Sequence, residues 1–133
     1  MTVFVDTSAI VALLSAADDH HAVATATWRR LVRERARIAT TDLVLAEAVI
    51  VARVRAGFDL SVQVGERLLA EPFEIIWNDP KLLDEAWKLY RRYRDHILSL
   101  CDCVSFAVMR RRRIEMAFAY DQDFEAVGFS SLR

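Results

Sequence analysis

Apolar residues recur along this chain with two alternating periods. Short runs that are almost wholly apolar or β-branched occur at Thr2 to Val5, Ile38 to Thr40, Phe73 to Trp77 and Met116 to Tyr120. Longer stretches between them repeat an apolar position every three or four residues, as at Leu82, Ala86, Leu89, Tyr90 and Tyr93. The short runs predict strands buried on both faces, and the longer stretches predict helices. Ala9 to Leu14 reads as a helix start, and Asp18-Asp19 opens a second helix through about Arg35. Asp42 is placed as the N-cap of a helix running to Gly57, where a C-cap glycine belongs. Asp59 or Ser61 caps another, to Glu71, and Pro72 stops it. Asn78-Asp79-Pro80 starts the next with proline near its first turn. Leu98 to about Arg112 forms a further helix, and a last short element covers Phe129 to Leu132. Apolar strands alternating with helices predict an α/β fold, with a parallel sheet of four or five short strands covered on both faces. The pattern leaves strand order open.

Composition agrees with that picture and narrows it. The chain of 133 residues is expected to form a single domain, 1–133, large enough to close one core. Three Gly and two Pro among 133 residues argue against linkers, disorder and an all-β fold. No apolar run approaches the ~20 residues that span a bilayer. Asp6 interrupts the first apolar stretch and no basic segment precedes it, so a secretory signal is not expected. Cys101 and Cys103 make neither a disulfide framework nor a zinc site. A cytoplasmic location is therefore expected.

A net charge of −1 advertises no nucleic-acid partner. The basic residues are nevertheless clustered: Arg110, Arg111, Arg112 and Arg113 in one run, Lys88, Arg91, Arg92 and Arg94 in another, and Arg29 to Arg37 in a third. All but Lys81 and Lys88 of the 18 basic residues are arginine, whose planar fork suits phosphate. These runs are either solvated helix faces or phosphate contacts, with 110–113 the candidate for substrate.

Four acids stand out by position. Asp6 directly follows the first strand and Asp121 the fourth, and ligands of open α/β sheets bind beyond the carboxyl ends of strands. A single such Asp is equally well a helix N-cap. Glu47 lies in Leu43 to Ala52, otherwise uncharged, with Leu43, Val44, Ile50 and Val51 as helical neighbours. That face is expected to point inward, so Glu47 must be protonated, paired with an arginine, or bound to a metal. Asp102 lies in the uncharged run Leu98 to Met109. Ser99 and Ser105 share its predicted face as hydrogen-bond donors, and the alternative is that Asp102 caps a neighbouring segment. If the four converge, a cation must offset their repulsion, and an all-oxygen set suits Mg²⁺ or Mn²⁺.

At these residues the chain resembles PIN domains, and among them the VapC-type toxins of toxin–antitoxin operons. The motifs are Val5-Asp6-Thr7-Ser8-Ala9, Thr41-Asp42-Leu43-Val44-Leu45-Ala46-Glu47, Leu100-Cys101-Asp102-Cys103-Val104-Ser105-Phe106 and Tyr120-Asp121-Gln122-Asp123-Phe124 with Gly128-Phe129. They span nearly the whole chain in family order. The resemblance implies a three-layer α/β/α sandwich in which Asp6, Glu47, Asp102 and Asp121 bind Mg²⁺ or Mn²⁺ for RNA hydrolysis. It also implies a hydroxyl of Thr7 beside the metal and an auxiliary place for Asp123, where relatives often carry His. Cys101 and Ala119 stand where relatives often have Thr or Ser.

The expected chemistry is attack by metal-activated water on an RNA phosphodiester, leaving a 5′-phosphate and a 3′-hydroxyl. The resemblance further implies a homodimer and an antitoxin wrapping the helices between Asp18 and Glu71. The apolar circumference of the helix from Asp42 to Gly57 is compatible with a partner surface. Two other classes compete. A phosphatase using Asp6 as nucleophile usually needs a second Asp close by or a placed lysine, and position 8 is Ser. A catalytically silent PIN domain acting through protein contacts need not bind divalent ions. His20 and His21 are expected on a surface turn, and Trp28, Trp77 and Trp87 as core or interface anchors.

Overall fold

The computed structural model describes residues Met1–Arg133. Five strands form one parallel sheet: β1 (Thr2–Val5), β2 (Arg37–Thr41), β3 (Phe73–Ile76), β4 (Met116–Phe118) and β5 (Ser130–Leu132). Seven helices connect them: α1 (Thr7–Leu14), α2 (His21–Arg33), α3 (Asp42–Ala56), α4 (Phe58–Leu68), α5 (Pro80–Arg92), α6 (Leu100–Arg112) and α7 (Asp123–Ala126). This is the expected α/β class, with a sheet of five strands. The spatial order is β3-β2-β1-β4-β5. The chain moves outward from β1 through β2 to β3, then returns to place β4 on the other side of β1. Right-handed crossovers put helices α1–α4 on one face and α5–α7 on the other. No helix is long and apolar enough to cross a membrane.

The central strands β1 and β4 are apolar because both faces are covered. Val3, Phe4 and Val5 are fully buried, as are Ala117 and Phe118. Phe106 and Phe124 meet edge-on, with ring centroids 5.0 Å apart, and Phe124 also meets Phe4 at 6.3 Å. Helix α6 is buried continuously from Cys101 to Met109, which explains its uncharged sequence.

Several element boundaries differ from expectation for identifiable reasons. The N-cap of α3 is Thr41, not Asp42: the Thr41 hydroxyl accepts from the Val44 amide at 3.1 Å. Asp42 is thereby freed to accept from the amide of Asn78 at 2.8 Å, tying α3 to the exit of β3. Gly57, with φ of 97°, ends α3 and starts α4 at once, so neither Asp59 nor Ser61 caps the latter. A positive φ favours glycine, which lets two helices join without a linker. Helix α2 begins at His21 rather than Asp18, and α7 was not anticipated because four residues carry no periodic signal. Asp79 caps α5 through the Leu82 amide at 2.7 Å, with Pro80 at the first position as expected.

Candidate active site

The sheet order reverses between β1 and β4, and open α/β sheets hold their ligands at such a reversal. Asp6 leaves β1 and Asp121 follows β4, so the two acids flank this switch point. A cleft of about 370 Å³ opens there, and Asp6, Glu47, Asp102 and Asp121 all line it. Residues separated by as many as 115 positions thus share one concave surface.

Asp6 is both the N-cap of α1 and a wall of the cleft. Its Oδ2 accepts from the Ser8 hydroxyl at 2.8 Å and from the Ser8 amide at 3.2 Å. Its Oδ1 is buried with no hydrogen-bond partner. Capping, weighed from the sequence against ligand binding, uses Oδ2 alone and so does not exclude a ligand on Oδ1. Burial pushes the Asp6 carboxyl up to about 7; the Ser8 hydroxyl pulls against this, and the charge of Asp102 adds to it.

Asp102 repeats the arrangement on α6. Its Oδ2 accepts from the Ser99 amide at 3.1 Å, while the Ser99 hydroxyl accepts from the Asp102 amide at 3.0 Å. This reciprocal capping box fixes the helix start and aims the acid into the cleft. Burial raises the Asp102 carboxyl above the usual carboxylate range; the Ser99 bonds oppose this, and the charges of Asp121 and Glu47 reinforce it. The amino ends of α1 and α6 both face the cleft, and their positive dipole ends partly offset the crowded negative charge.

Glu47 is only half-buried. The core face of α3 is Val44, Ala48 and Ala52, and Ile50 is 63% exposed. The expected inward face is therefore corrected: Glu47 and Val51 border the cleft beside the core stripe. No arginine pairs with Glu47, Asp6, Asp102 or Asp121. The nearby Cys101 thiol is pushed up by its own burial and then by the charges of Glu47 and Asp6, so it remains a neutral thiol.

Asp123, the auxiliary candidate, lies beside two of the four acids. Carboxylate oxygens of Asp102, Asp121 and Asp123 lie within 4.8 Å of one another. The amide of Asp123, at the start of α7, donates to Asp121 Oδ1 at 3.0 Å. Burial, a hydrogen bond with Asp121 and then the charges of Asp121 and Asp102 push the Asp123 carboxyl up to about 6, against the pull of His96.

The remaining expected residues divide. Thr7 lines the cleft, and its buried hydroxyl has no partner. Ser105 does not support Asp102: it is fully buried and donates to the Cys101 carbonyl at 3.1 Å, as helix-interior serines do. The arginine run 110–113 sits at the opposite end of α6, about 13 Å along the axis from Asp102 to Arg111. There Arg111 pairs with Asp79 at 3.5 Å and Glu85 at 3.4 Å, and Arg112 with Glu74 at 3.2 Å. The arginine that does line the cleft is Arg55, two turns beyond Glu47 on α3 and in no ion pair.

Sequence reasoning passed over Ser8, Ser99's role as cap, Arg55 and the place of His20 at the cleft. Ser8 was signalled by its place two residues after Asp6, where a hydroxyl can close a turn onto the acid. His20 carries no such signal. It lies on the surface turn expected for it, and there it also lines the cleft and stacks on Tyr120, with centroids 4.2 Å apart.

An empty-handed buried oxygen, mutually repelling acids and no pairing cations fit a divalent metal, because an uncompensated carboxylate cluster is costly otherwise. The donors are all oxygen, the set that hard cations prefer.

Comparison with known proteins agrees with the fold. The PIN domain model matches residues 3–130. The chain is 32% identical over 131 residues to the 23S rRNA-specific endonuclease VapC20 of Mycobacterium tuberculosis, covering 98% of each protein. The crystal structure of that protein, described as a sarcin-ricin loop cleaving toxin, superposes with a TM-score of 0.89 over 98% of both chains. Two more distant structures share the fold: VapBC2 of Rickettsia felis bound to a promoter DNA fragment, at 15% identity, and FitAcB of Neisseria gonorrhoeae, at 16%. Their TM-scores are 0.74 and 0.70, over 99% and 100% of this chain and 98% and 97% of theirs. The chain belongs to the PIN-domain family, and within it to the VapC type.

Proposed function

We propose that this chain is an endoribonuclease of the toxin class, hydrolysing RNA phosphodiesters in the acid cleft. The observation that carries the reading is the gathering of Asp6, Glu47, Asp102 and Asp121 around one cleft, with Asp6 Oδ1 left buried and unpartnered. Asp6, Glu47 and Asp102 are the principal carboxylates that would hold Mg²⁺ or Mn²⁺, and Asp121 completes the set. Such an ion, when bound, supplies positive charge for the phosphate and acidifies a water for attack.

The chain's own groups do the positioning. Ser8, the Ser99 amide and the Asp123 amide each hold one carboxylate oxygen in place. The unpartnered hydroxyl of Thr7 is free to donate into the cleft. Arg55, exposed on the α3 wall, takes the phosphate-binding role for which Arg110, Arg111, Arg112 and Arg113 were the candidates. The products are a 5′-phosphate and a 3′-hydroxyl. The phosphatase alternative finds no support here, since Lys81 and Lys88 both lie on α5, away from the cleft.

What the relative is described as cutting makes the sarcin–ricin loop of 23S rRNA the first RNA to test, and a ribosomal substrate is in keeping with the cytoplasmic location expected from the sequence. An antitoxin partner is supported by an apolar groove lined by Ile10, Leu13, Leu14, Trp28, Leu68 and Phe73, between helices α1, α2 and α4. A homodimer is supported by apolar side chains left in solvent on α3, with Ile50 63% and Val54 80% exposed. The purified chain is expected to cut this RNA with Mn²⁺ or Mg²⁺ and to stop with EDTA. Full activity in Asp6→Ala and Asp102→Asn variants would end the proposal.

A further inference from the structure

We propose that His20 and Tyr120 form a two-ring platform on which an unpaired base of the RNA stacks, next to the phosphodiester being cut. The inference rests on the nuclease reading above and adds how substrate is oriented. The two rings lie nearly parallel, with an interplanar angle of 11° and centroids 4.2 Å apart. Both border the cleft that holds Asp6 and Asp121, and Tyr120 immediately precedes Asp121 in the chain.

The lower ring is fixed from several sides. The Tyr120 amide donates to the Ser8 hydroxyl at 3.0 Å, the same hydroxyl that donates to Asp6. Phe118 meets the Tyr120 ring edge-on at 6.0 Å, and the Tyr120 hydroxyl oxygen is buried. The upper ring is held by its own backbone, since the His20 amide donates to Asp18 Oδ1 at 2.9 Å. His20 itself is exposed, and no aromatic ring meets its second face. Core packing would bury both rings; here one is rigidly supported and the other presents a flat face to solvent. Proteins bind single-stranded RNA with such surfaces, because every base has a π-face to stack. Arg55 on the α3 wall supplies the positive charge that a neighbouring phosphate requires.

The test is a substrate–protein double-mutant cycle. Cleavage of a sarcin–ricin hairpin RNA is measured with Mn²⁺, using RNAs made abasic at successive nucleotides around the cut. At one position the wild-type chain should lose about five- to a hundredfold in KM, the range that base–aromatic stacking supplies. His20→Ala should lose a similar factor with the intact RNA and become indifferent to the abasic position. His20→Phe should restore the sensitivity, and Mn²⁺ affinity should stay unchanged throughout. A wild-type KM in His20→Ala, or an abasic penalty that survives that substitution, overturns the platform while leaving the nuclease intact. Absence of cleavage by the wild-type chain of this hairpin and of total cellular RNA alike sinks the nuclease reading and the platform with it.

Discussion

The hydroxyl of Ser8 donates to Oδ2 of Asp6 at 2.8 Å while accepting the Tyr120 amide at 3.0 Å. One side chain therefore aligns the acid that leaves β1 with the segment that follows β4. Removing it leaves Asp6 less firmly held and the Tyr120 amide without its acceptor. Ser8→Ala is expected to weaken Mn²⁺ binding about 10–100-fold, as supporting hydrogen bonds at metal sites do. Calorimetric titration of the folded variant checks this, and an unchanged affinity would count against the assignment.

The metal-free chain should lose stability as pH rises. Asp6 has a folded value of about 7 against an ordinary value of 3.8. A raised folded value means that folding favours the protonated acid. Its contribution is complete below about pH 4 and is lost as pH climbs through about 7. The size for this buried group is roughly 2–4 kcal/mol. Asp102 and Asp123 act in the same direction. Urea unfolding in EDTA should give lower stability at about pH 7.5 than at about pH 5, and Asp6→Asn should flatten that slope. Mn²⁺ should stabilise more at the higher pH, because protons compete with it for the carboxylates.

Two arginines should separate by function. Arg55→Ala is expected to raise KM for RNA about five- to tenfold and to reduce the salt slope of binding by about one. Arg111→Ala breaks exposed pairs with Asp79 and Glu85, so it should cost less than about 1 kcal/mol and leave cleavage unchanged. Cleavage rates at several salt concentrations distinguish them; equal effects from both would return the arginine run to the substrate.

Phe124 joins the site to the core. It is fully buried against Phe4 and Phe106, yet it lies on α7, one residue after Asp123. Phe124→Ala should destabilise by about 3–5 kcal/mol, whereas Phe124→Leu should cost about 1.5 kcal/mol or less. Denaturant midpoints at constant slope measure both.

What the sequence made legible was whatever a local pattern or a burial conflict could express. β1 ending at Asp6 is such a pattern, and an aspartate inside the uncharged run of α6 is such a conflict. Where legibility failed, distant partners decided. The fourth strand stops at Phe118, not Tyr120, because the Tyr120 amide turns to a side chain of α1 instead of a neighbouring strand. Ser105 and Ser99 look equivalent around Asp102, but only Ser99 precedes the helix and can cap it. The arginine run reads equally as a solvated helix end or a substrate contact until the length of α6 carries it away from the cleft. The His20–Tyr120 stack joins a loop to a residue 100 positions away, and no periodicity announces that.

Asp6, Asp102 and Asp121 each have one carboxylate oxygen claimed by a hydrogen bond from the protein, leaving the other for a guest. Such acids act as one-point donors, and two-point chelation by any of them would cost a bond that shapes the backbone. Calcium, which gathers six to eight oxygens and readily takes both from one carboxylate, is poorly served by such a set. Compact octahedral ions that keep part of their water shell would be better served, so Mn²⁺ is expected to stabilise the chain more than Ca²⁺ at equal concentration, which thermal unfolding measures.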